Sequence, residues 1–133
     1  MFKYVAIIML TFCSQAYAGW TATPLVSGHD GTYYWDTDTV KYSGTHLKIW
    51  IADDYGEAQI SKMKPGTKYL SIKEKLDIDC AHSRSRVINY FELSDHFGSG
   101  TAVFQEKHKA KWIAITPDSL SQSVMTTFCK KPA

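Results

Sequence analysis

The residues in this sequence that could carry out chemistry are its histidines, its paired acids and one serine between glycines. The histidines are His29, His46, His82, His96 and His108. None has the spacing of a metal motif such as HExxH, although distant histidines could still meet in the fold. Gly98-Ser99-Gly100 lacks the pattern of a nucleophile elbow and is typical of a hairpin turn. We therefore expect a protein that is not an enzyme and uses no metal and no cofactor.

The acidic pairs are a second candidate for catalysis. They are Asp36 with Asp38, Asp53 with Asp54, and Asp77 with Asp79. Asp77 and Asp79 alternate in a predicted strand, so their carboxylates would lie about 7 Å apart on one face. Such a pair could flank a scissile bond or bind a cation, as in a small hydrolase. The interpretation we favour is that both are solvated strand residues beside Lys73 and Lys75.

Residues 1–18 have the three parts of a secretory signal peptide. A positively charged head precedes an apolar run that ends at Phe12, and Ala16-Tyr17-Ala18 forms the small-x-small cleavage pattern. The apolar run is too short for a permanent membrane span; an N-terminal core helix is the alternative. Phe12 precedes Cys13, and a bulky residue there disfavours lipidation of Cys13. We predict cleavage after Ala18 and export through the inner membrane.

The mature chain, residues 19–133, is short enough to form a single domain. Loss of Lys3 lowers the net charge from +2 to +1, which gives no general attraction to nucleic acid or membrane, and no long apolar segment predicts a membrane span. Its cysteines are Cys80 and Cys129. In an oxidising compartment they most simply form a disulfide, with free thiols or a metal pair as alternatives. That bridge would add about 4 kcal/mol of stability.

Short extended segments separated by turn residues predict an antiparallel sheet. The predicted strands cover residues 20–26, 32–36, 46–52, 70–80, 84–93 and 101–106, with one more at 111–115. Breakers predict a long loop over residues 53–68. Within 84–93, we expect Val87, Phe91 and Leu93 to share one face.

The clearest strand, 70–80, has apolar even positions with one exception, Glu74. Glu74 could lie at the sheet edge, pair with Arg84 or Arg86, or act as a recognition charge in a groove. The alternation places Cys80 on the apolar face.

The C-terminal residues predict a helix. Thr116-Pro117-Asp118 is typical of a helix start, with a capping hydroxyl, an early proline and an acid near the positive end of the dipole. An apolar residue then recurs every four positions up to Phe128, and Cys129 follows. The strand that ends at Cys80 offers the apolar surface this helix needs. We predict an α+β fold: one antiparallel sheet of about six strands, with the helix packed on one face and clamped by the disulfide.

Several short motifs occur in a particular order along the mature chain. They are Tyr33-Tyr34-Trp35-Asp36, Leu47-Lys48-Ile49-Trp50-Ile51, Asp77-Ile78-Asp79-Cys80, and residues 112–119 followed by Cys129. In this order, with the two cysteines and an export signal, the chain resembles the surface-adhesin protein E family of Gram-negative bacteria over roughly residues 20–129. The resemblance implies a sheet with a disulfide-held helix. It also implies an outer-membrane adhesin that binds host matrix or serum glycoproteins, vitronectin and laminin among them.

Basic and aromatic residues are the candidate contacts for a protein partner. We single out Lys62, Lys64, Lys68, Tyr34, Trp50, Lys107, Lys109 and Lys111. The lysines could attract an acidic protein, a sulfated glycan or anionic lipid, or could keep exposed strand edges unpaired. Aromatic residues make up 14% of the chain, too many for one thin core, so some should be half exposed on a sheet face. That face could bind a partner or form a homodimer.

Two functions fit these predictions. A surface adhesin would be exported to the outer-membrane surface, and this is the function we favour. A periplasmic inhibitor or immunity protein would stay in the periplasm and block a toxin or cell-wall hydrolase. It would do so by inserting the predicted loop 53–68 into the enzyme's active site.

Overall fold

The computed structural model describes residues 19–24, 26, 28–107 and 110–129. The eight strands within them are β1 (Trp20–Ala22), β2 (Thr32–Asp36), β3 (Lys41–Ser43), β4 (His46–Ile60), β5 (Lys68–Asp79), β6 (Arg84–Leu93), β7 (Ala102–Glu106) and β8 (Ile113–Ala114). A 3-10 helix (Thr37–Thr39) follows β2, and one α-helix, α1, spans Leu120–Phe128. The predicted α+β class is confirmed, with eight strands in place of about six. The predicted signal peptide and Cys13 lie outside the described residues.

The strands form one antiparallel sheet in the order β1-β2-β4-β5-β6-β7. Two short strands complete it, because β3 pairs with the start of β4 and β8 pairs with the start of β6. The long strands β4, β5 and β6 form the centre, each joined to the next by a short turn. Connections this short do not allow a crossover helix, so neighbouring strands must run antiparallel.

The core lies between the sheet and α1. Leu47, Ile49 and Ile51 are fully buried on β4, because a strand directs every second side chain to the same face. The paired positions of β5 add further apolar residues, and α1 adds Leu120 and Val124. Burial of each of these side chains contributes about 2 kcal/mol to stability. This stripe therefore fixes the face of the sheet on which the helix lies.

β4 is longer than predicted. Most of the predicted loop 53–68 continues the strand His46–Ile60, which pairs with β5 on both sides of a β-bulge containing Gly56. A bulge accommodates a glycine without ending the strand. Only residues 61–67 form the connection to β5. The predicted long loop is therefore wrong, and with it the inserting segment on which an inhibitor would depend.

A second bulge changes the faces of β6. The register of β6 against β5 skips Ile88, and a one-residue slip moves every following side chain to the opposite face. Val87 therefore projects toward the helix, whereas Phe91 and Leu93 project away from it. The prediction that these three residues share one face is wrong for this reason.

The helix begins later than predicted. Ser119 is its N-cap, and the Ser119 hydroxyl accepts a hydrogen bond from the Gln122 N–H at 3.1 Å. Asp118 has φ +57°, a left-handed conformation that cannot belong to the helix. Thr116 is consequently not the cap, although the apolar stripe C-terminal to it is buried as predicted.

The predicted disulfide between Cys80 and Cys129 is confirmed. It joins the end of β5 to the end of α1 across 49 positions of sequence. The Phe128 ring packs edge-on against Trp35 with centroids 5.0 Å apart, and the Phe128 carbonyl accepts a hydrogen bond from the Tyr42 hydroxyl at 2.8 Å. A covalent bond, a ring contact and a hydrogen bond therefore hold the end of the helix to the sheet.

Candidate partner-binding surface

α1 covers one face of the sheet, which we call the helix face. The opposite, open face has no helix over it within the described part of the chain. A cluster of five side chains lies at its centre. This open-face cluster is Tyr34, Trp50, Lys73, Lys75 and Phe91. Strand register brings the five together, because residues paired across neighbouring strands project from the same face.

Trp50 is the centre of the open-face cluster. The Nζ atoms of Lys73 and Lys75 lie 4.7 and 5.7 Å from the Trp50 ring centroid, within the range of cation–π interactions. The Phe91 ring centroid is 6.2 Å from that of Trp50. The indole stays partly exposed, so it presents a flat apolar surface bordered by two positive charges. This combination suits a partner that has an apolar patch next to acidic groups.

The turn between β6 and β7 supplies one more aromatic side chain beside Tyr34. Phe97 contacts Tyr34 edge-on, with ring centroids 5.3 Å apart. Phe97 has φ +55°, which is costly for a bulky residue. The Asp54 carboxylate stabilises this conformation by accepting the Phe97 N–H at 2.8 Å, and it also contacts the His96 ring at 3.1 Å. Asp54 thus places an aromatic side chain at the border of the open-face cluster.

At another part of the open face, Asp77 and Asp79 are buried and paired with arginines. The Arg86 guanidinium donates twice to Asp77, at 3.1 and 3.0 Å, and Arg84 Nε donates to Asp79 at 2.9 Å. Both guanidinium groups stack on the Trp112 ring, at 4.1 and 4.7 Å. The interpretation of the two acids as solvated is therefore wrong, because they are only 2% and 1% exposed. Alternation predicts their shared face, but only the β5–β6 register places arginines opposite them.

This ion-pair network suits a structural role better than acid–base catalysis. Burial alone would raise the pKa of Asp79, but hydrogen bonds from Arg84 and His82 outweigh burial and lower it. Asp79 therefore has no proton to donate near neutral pH. Asp77 also contacts His46 Nδ1 at 3.2 Å, so hydrogen bonds occupy both of its carboxylate oxygens.

The five predicted lysines that the structure describes lie outside the open-face cluster. The first group, exposed in and beside the β4–β5 connection, is Lys62, Lys64 and Lys68. The second group, between β7 and β8, is Lys107 and Lys111, both exposed, together with Lys109, which lies outside the described residues. Of the predicted residues, Tyr34 and Trp50 both belong to the open-face cluster. The lysines of that cluster are Lys73 and Lys75, which were not predicted. Whether any of these eight residues binds a partner stays a prediction.

Sequence reasoning misses three members of the cluster: Lys73, Lys75 and Phe91. Alternation along β5 does place both lysines opposite the apolar positions. Their proximity to Trp50 follows only from the β4–β5 register, which depends on a connection that begins at residue 61. Phe91 is missed because the bulge in β6 cannot be read from the sequence.

The described histidines contact carboxylates rather than one another. His29 Nε2 lies 2.8 Å from the Asp53 carboxylate, and His46, His82 and His96 have similar contacts. In the described ranges, no three His, Cys, Asp or Glu side chains gather closely enough to hold a metal ion. None of the helices in those ranges combines the length and apolarity that crossing a membrane requires.

Fold and surface together define an α+β domain whose clustered aromatic and basic side chains lie on an open sheet face. The sequence profile of the surface-adhesin protein E family matches residues 20–130. The chain belongs to the surface-adhesin protein E family, as its motifs predicted.

Solved structures of Haemophilus influenzae protein E share this fold. One is 14% identical in sequence, with a TM-score of 0.65 over 84% of this chain and 84% of that chain. A second crystal form is 15% identical, with a TM-score of 0.66 over 84% and 87%. Protein E from non-typeable Haemophilus influenzae is also 15% identical, with a TM-score of 0.64 over 87% and 78%. No curated protein matches this chain significantly by sequence.

Proposed function

We propose that this protein is an exported, non-enzymatic binding protein that contacts a host extracellular-matrix or serum protein through its open-face cluster. The observation that carries the proposal is the partly exposed Trp50 ring, with Lys73 and Lys75 close to it. A rigid aromatic ring buries a large apolar area on binding, and this makes tryptophan a frequent centre of protein interfaces. The neighbouring ammonium groups would select partners with acidic residues next to an apolar patch.

Family membership supports the class of partner. The matching family is one of surface adhesins, and an adhesin acts by binding rather than by catalysis. The resemblance implies host glycoproteins as partners, so vitronectin and laminin are the first to test. The Arg–Asp network supports the non-enzymatic part of the proposal, because it leaves Asp77 and Asp79 fully hydrogen-bonded.

The test is binding of the purified exported protein to immobilised vitronectin and laminin, measured by surface plasmon resonance. We expect Trp50→Ala to weaken binding by about tenfold or more, as for an interface hot spot. Ile60→Ala is the matched control, because Ile60 is an apolar residue 70% exposed further along the same strand. Sedimentation of the free protein shows whether the cluster is instead buried in a homodimer. No binding of the unmodified protein to any matrix protein would contradict the proposal.

Adhesion also requires exposure at the cell surface, and we propose that residues 1–18 direct export. The test treats intact expressing cells with a protease that cannot cross the outer membrane. Degradation of the protein is the expected result. Complete protection, with release on periplasmic lysis, would contradict surface adhesion and would direct the search to a periplasmic partner.

A further inference from the structure

Three carboxylates lie on the helix face, and their surroundings differ. Asp53 is hydrogen-bonded to His29 at 2.8 Å and to the Tyr55 hydroxyl at 2.7 Å. Glu92 accepts hydrogen bonds from the hydroxyls of Ser61 and Tyr90. The third carboxylate, that of Glu74, has no hydrogen bond and no ion pair with any described residue.

The predicted pairing of Glu74 with Arg84 or Arg86 is wrong, because both guanidinium groups bind carboxylates on the open face. Lys73 and Lys75, its neighbours in β5, also project to the open face, toward Trp50. All the basic residues of β5 and β6 near Glu74 are therefore committed elsewhere. Glu74 is partly buried and its carboxylate oxygens are not sealed from solvent, so a ligand can reach them.

Glu74 lies where two hollows on the helix face meet. Both hollows are lined by Glu74, Val87 and Ala110. The first, of about 340 Å³, is completed by Met63, Tyr90 and Glu106. The second, of about 330 Å³, is also lined by Arg86, whose guanidinium donates to Asp77, and it continues toward Leu120 at the start of α1. Together they form one groove with largely apolar walls and a carboxylate at its midpoint, which we call the Glu74 groove.

The electrostatic environment of the Glu74 groove favours a positive charge. Burial, and then the Asp53 carboxylate, raise the pKa of Glu74 from 4.5 to about 7. The pKa values of Tyr33 on β2 and Tyr90 on β6 are raised by burial and by nearby carboxylates, so both phenols stay neutral. A cation placed in the groove would relieve the repulsion between the Glu74 and Asp53 carboxylates.

We propose that the Glu74 groove binds a lysine or arginine side chain of a partner protein. The Glu74 carboxylate would pair with the cationic head, while Val87, Ala110 and Met63 would contact the aliphatic stem. Long basic side chains suit such a groove because they combine an apolar stem with a charged end. This site lies on the face of the sheet opposite the open-face cluster. It does not depend on whether that cluster binds a matrix protein.

The experiment follows the side-chain carboxyl carbon of Glu74 by NMR in the full exported protein. The probe is a blocked Gly-Lys-Gly peptide, and the matched control is the same peptide with norleucine, which lacks only the charge. We expect the lysine peptide to bind saturably in the millimolar range and to lower the pKa of Glu74. We expect the norleucine peptide to do neither. Equal binding of both peptides would overturn the proposal.

Two variants test the role of the carboxylate. Glu74→Gln should weaken binding of the lysine peptide by about tenfold or more, while Glu57→Gln, at an exposed position of β4, should leave it unchanged. Binding to the unmodified protein should strengthen as the pH rises from 5 to 8, because Glu74 becomes ionised. Binding that does not change with pH, or normal binding by the Glu74→Gln variant, would refute the proposed role of the Glu74 carboxylate.

Two further controls test whether the groove binds something other than a partner's basic side chain. Cadaverine presents the same ammonium group without a peptide, so tighter binding of cadaverine than of the lysine peptide would assign the groove to free amines instead. Replacement of Lys107, Lys109 and Lys111 by methionine tests the chain's own lysines. A rise in the pKa of Glu74 in that variant would show that one of them already occupies the groove, and it would also overturn the proposal.

Discussion

Acidic side chains of the same strand have opposite surroundings on the two faces of the sheet. On the open face, Asp77 and Asp79 are each bound by an arginine that itself stacks on Trp112. On the helix face, Glu74 forms no ion pair with a described residue, although Arg86 lines the same groove. Burial of a charge is tolerable when a partner compensates the loss of hydration. Removing one member of either Asp–Arg pair should therefore destabilise the fold, whereas ionised Glu74 costs stability and is available to a ligand.

The faces also differ in how they use aromatic rings. On the helix face, Trp35 is 7% exposed and packs against Phe128 under the disulfide, so its ring contributes to folding. On the open face, Trp50 has a comparable ring that remains partly exposed beside two lysines. The difference arises because α1 packs on the helix face, and no helix covers the open face within the described residues.

The largest effect we expect comes from removing the bond that keeps the helix on its face. Replacing both Cys80 and Cys129 by serine should lower the free energy of unfolding by about 4 kcal/mol, because the bridge closes a long loop in the unfolded chain. Urea denaturation measures this change. A reducing agent should produce the same loss in the unmodified protein and none in the double variant. An unchanged midpoint in both would show that packing alone holds α1.

The next largest effect concerns the paired acids. Asp77→Asn should lower the free energy of unfolding by about 3 kcal/mol, because it leaves the Arg86 guanidinium without its buried counterion. Asp30→Asn changes an exposed acid and serves as the control in the same denaturation series. Equal losses of stability in the two variants would show that the Asp77–Arg86 pair does not stabilise the open face.

Neutralising Glu74 should stabilise the protein, whereas neutralising Asp77 should destabilise it. At pH 8, Glu74→Gln should raise the free energy of unfolding by about 3 kcal/mol, because the pKa of Glu74 is raised to about 7 in the folded state. Below pH 4.5 the carboxyl is protonated in both folded and unfolded chains, so the variant should gain nothing. Between pH 4.5 and about 7 the unfolded chain releases its proton first, and the stability of the unmodified protein should fall relative to the variant.

Denaturation at a series of pH values measures this difference between the two proteins. Other carboxylates titrate equally in both, so their contributions cancel. A difference that stays constant from pH 4 to pH 8 would mean that Glu74 is already paired in solution.

The smallest effect concerns the cation–π contacts on the open face. Lys73→Met keeps the aliphatic stem but removes the ammonium group 4.7 Å from the Trp50 ring. We expect a loss of about 0.5 kcal/mol, the usual size at a partly exposed site. Lys62→Met, in the exposed connection between β4 and β5, should cost nothing measurable. A loss above that of Asp77→Asn would reverse the ranking of the two open-face interactions.

The sequence alone determined the parts of this fold that depend on local patterns. Alternation in 70–80 predicts β5 and places Cys80 toward the core, because the period of a strand is independent of its neighbours. The four-residue spacing up to Phe128 predicts α1 for a similar reason. The disulfide follows from these two elements, since only the apolar face of one can receive the apolar stripe of the other. The family resemblance rests on the same ordered motifs.

Only the tertiary structure decided which side chains meet across strands. The extension of β4 to Ile60 and the extra residue Ile88 in β6 set the register, and a shift of one residue moves a side chain to the other face. Register places Lys73 and Lys75 beside Trp50, places arginines opposite Asp77 and Asp79, and leaves Glu74 without an ion pair to any described residue. Pairing across strands depends on bulges and turns that residue types barely constrain. The elements of this protein are therefore predictable from its sequence, whereas the surfaces they form are not.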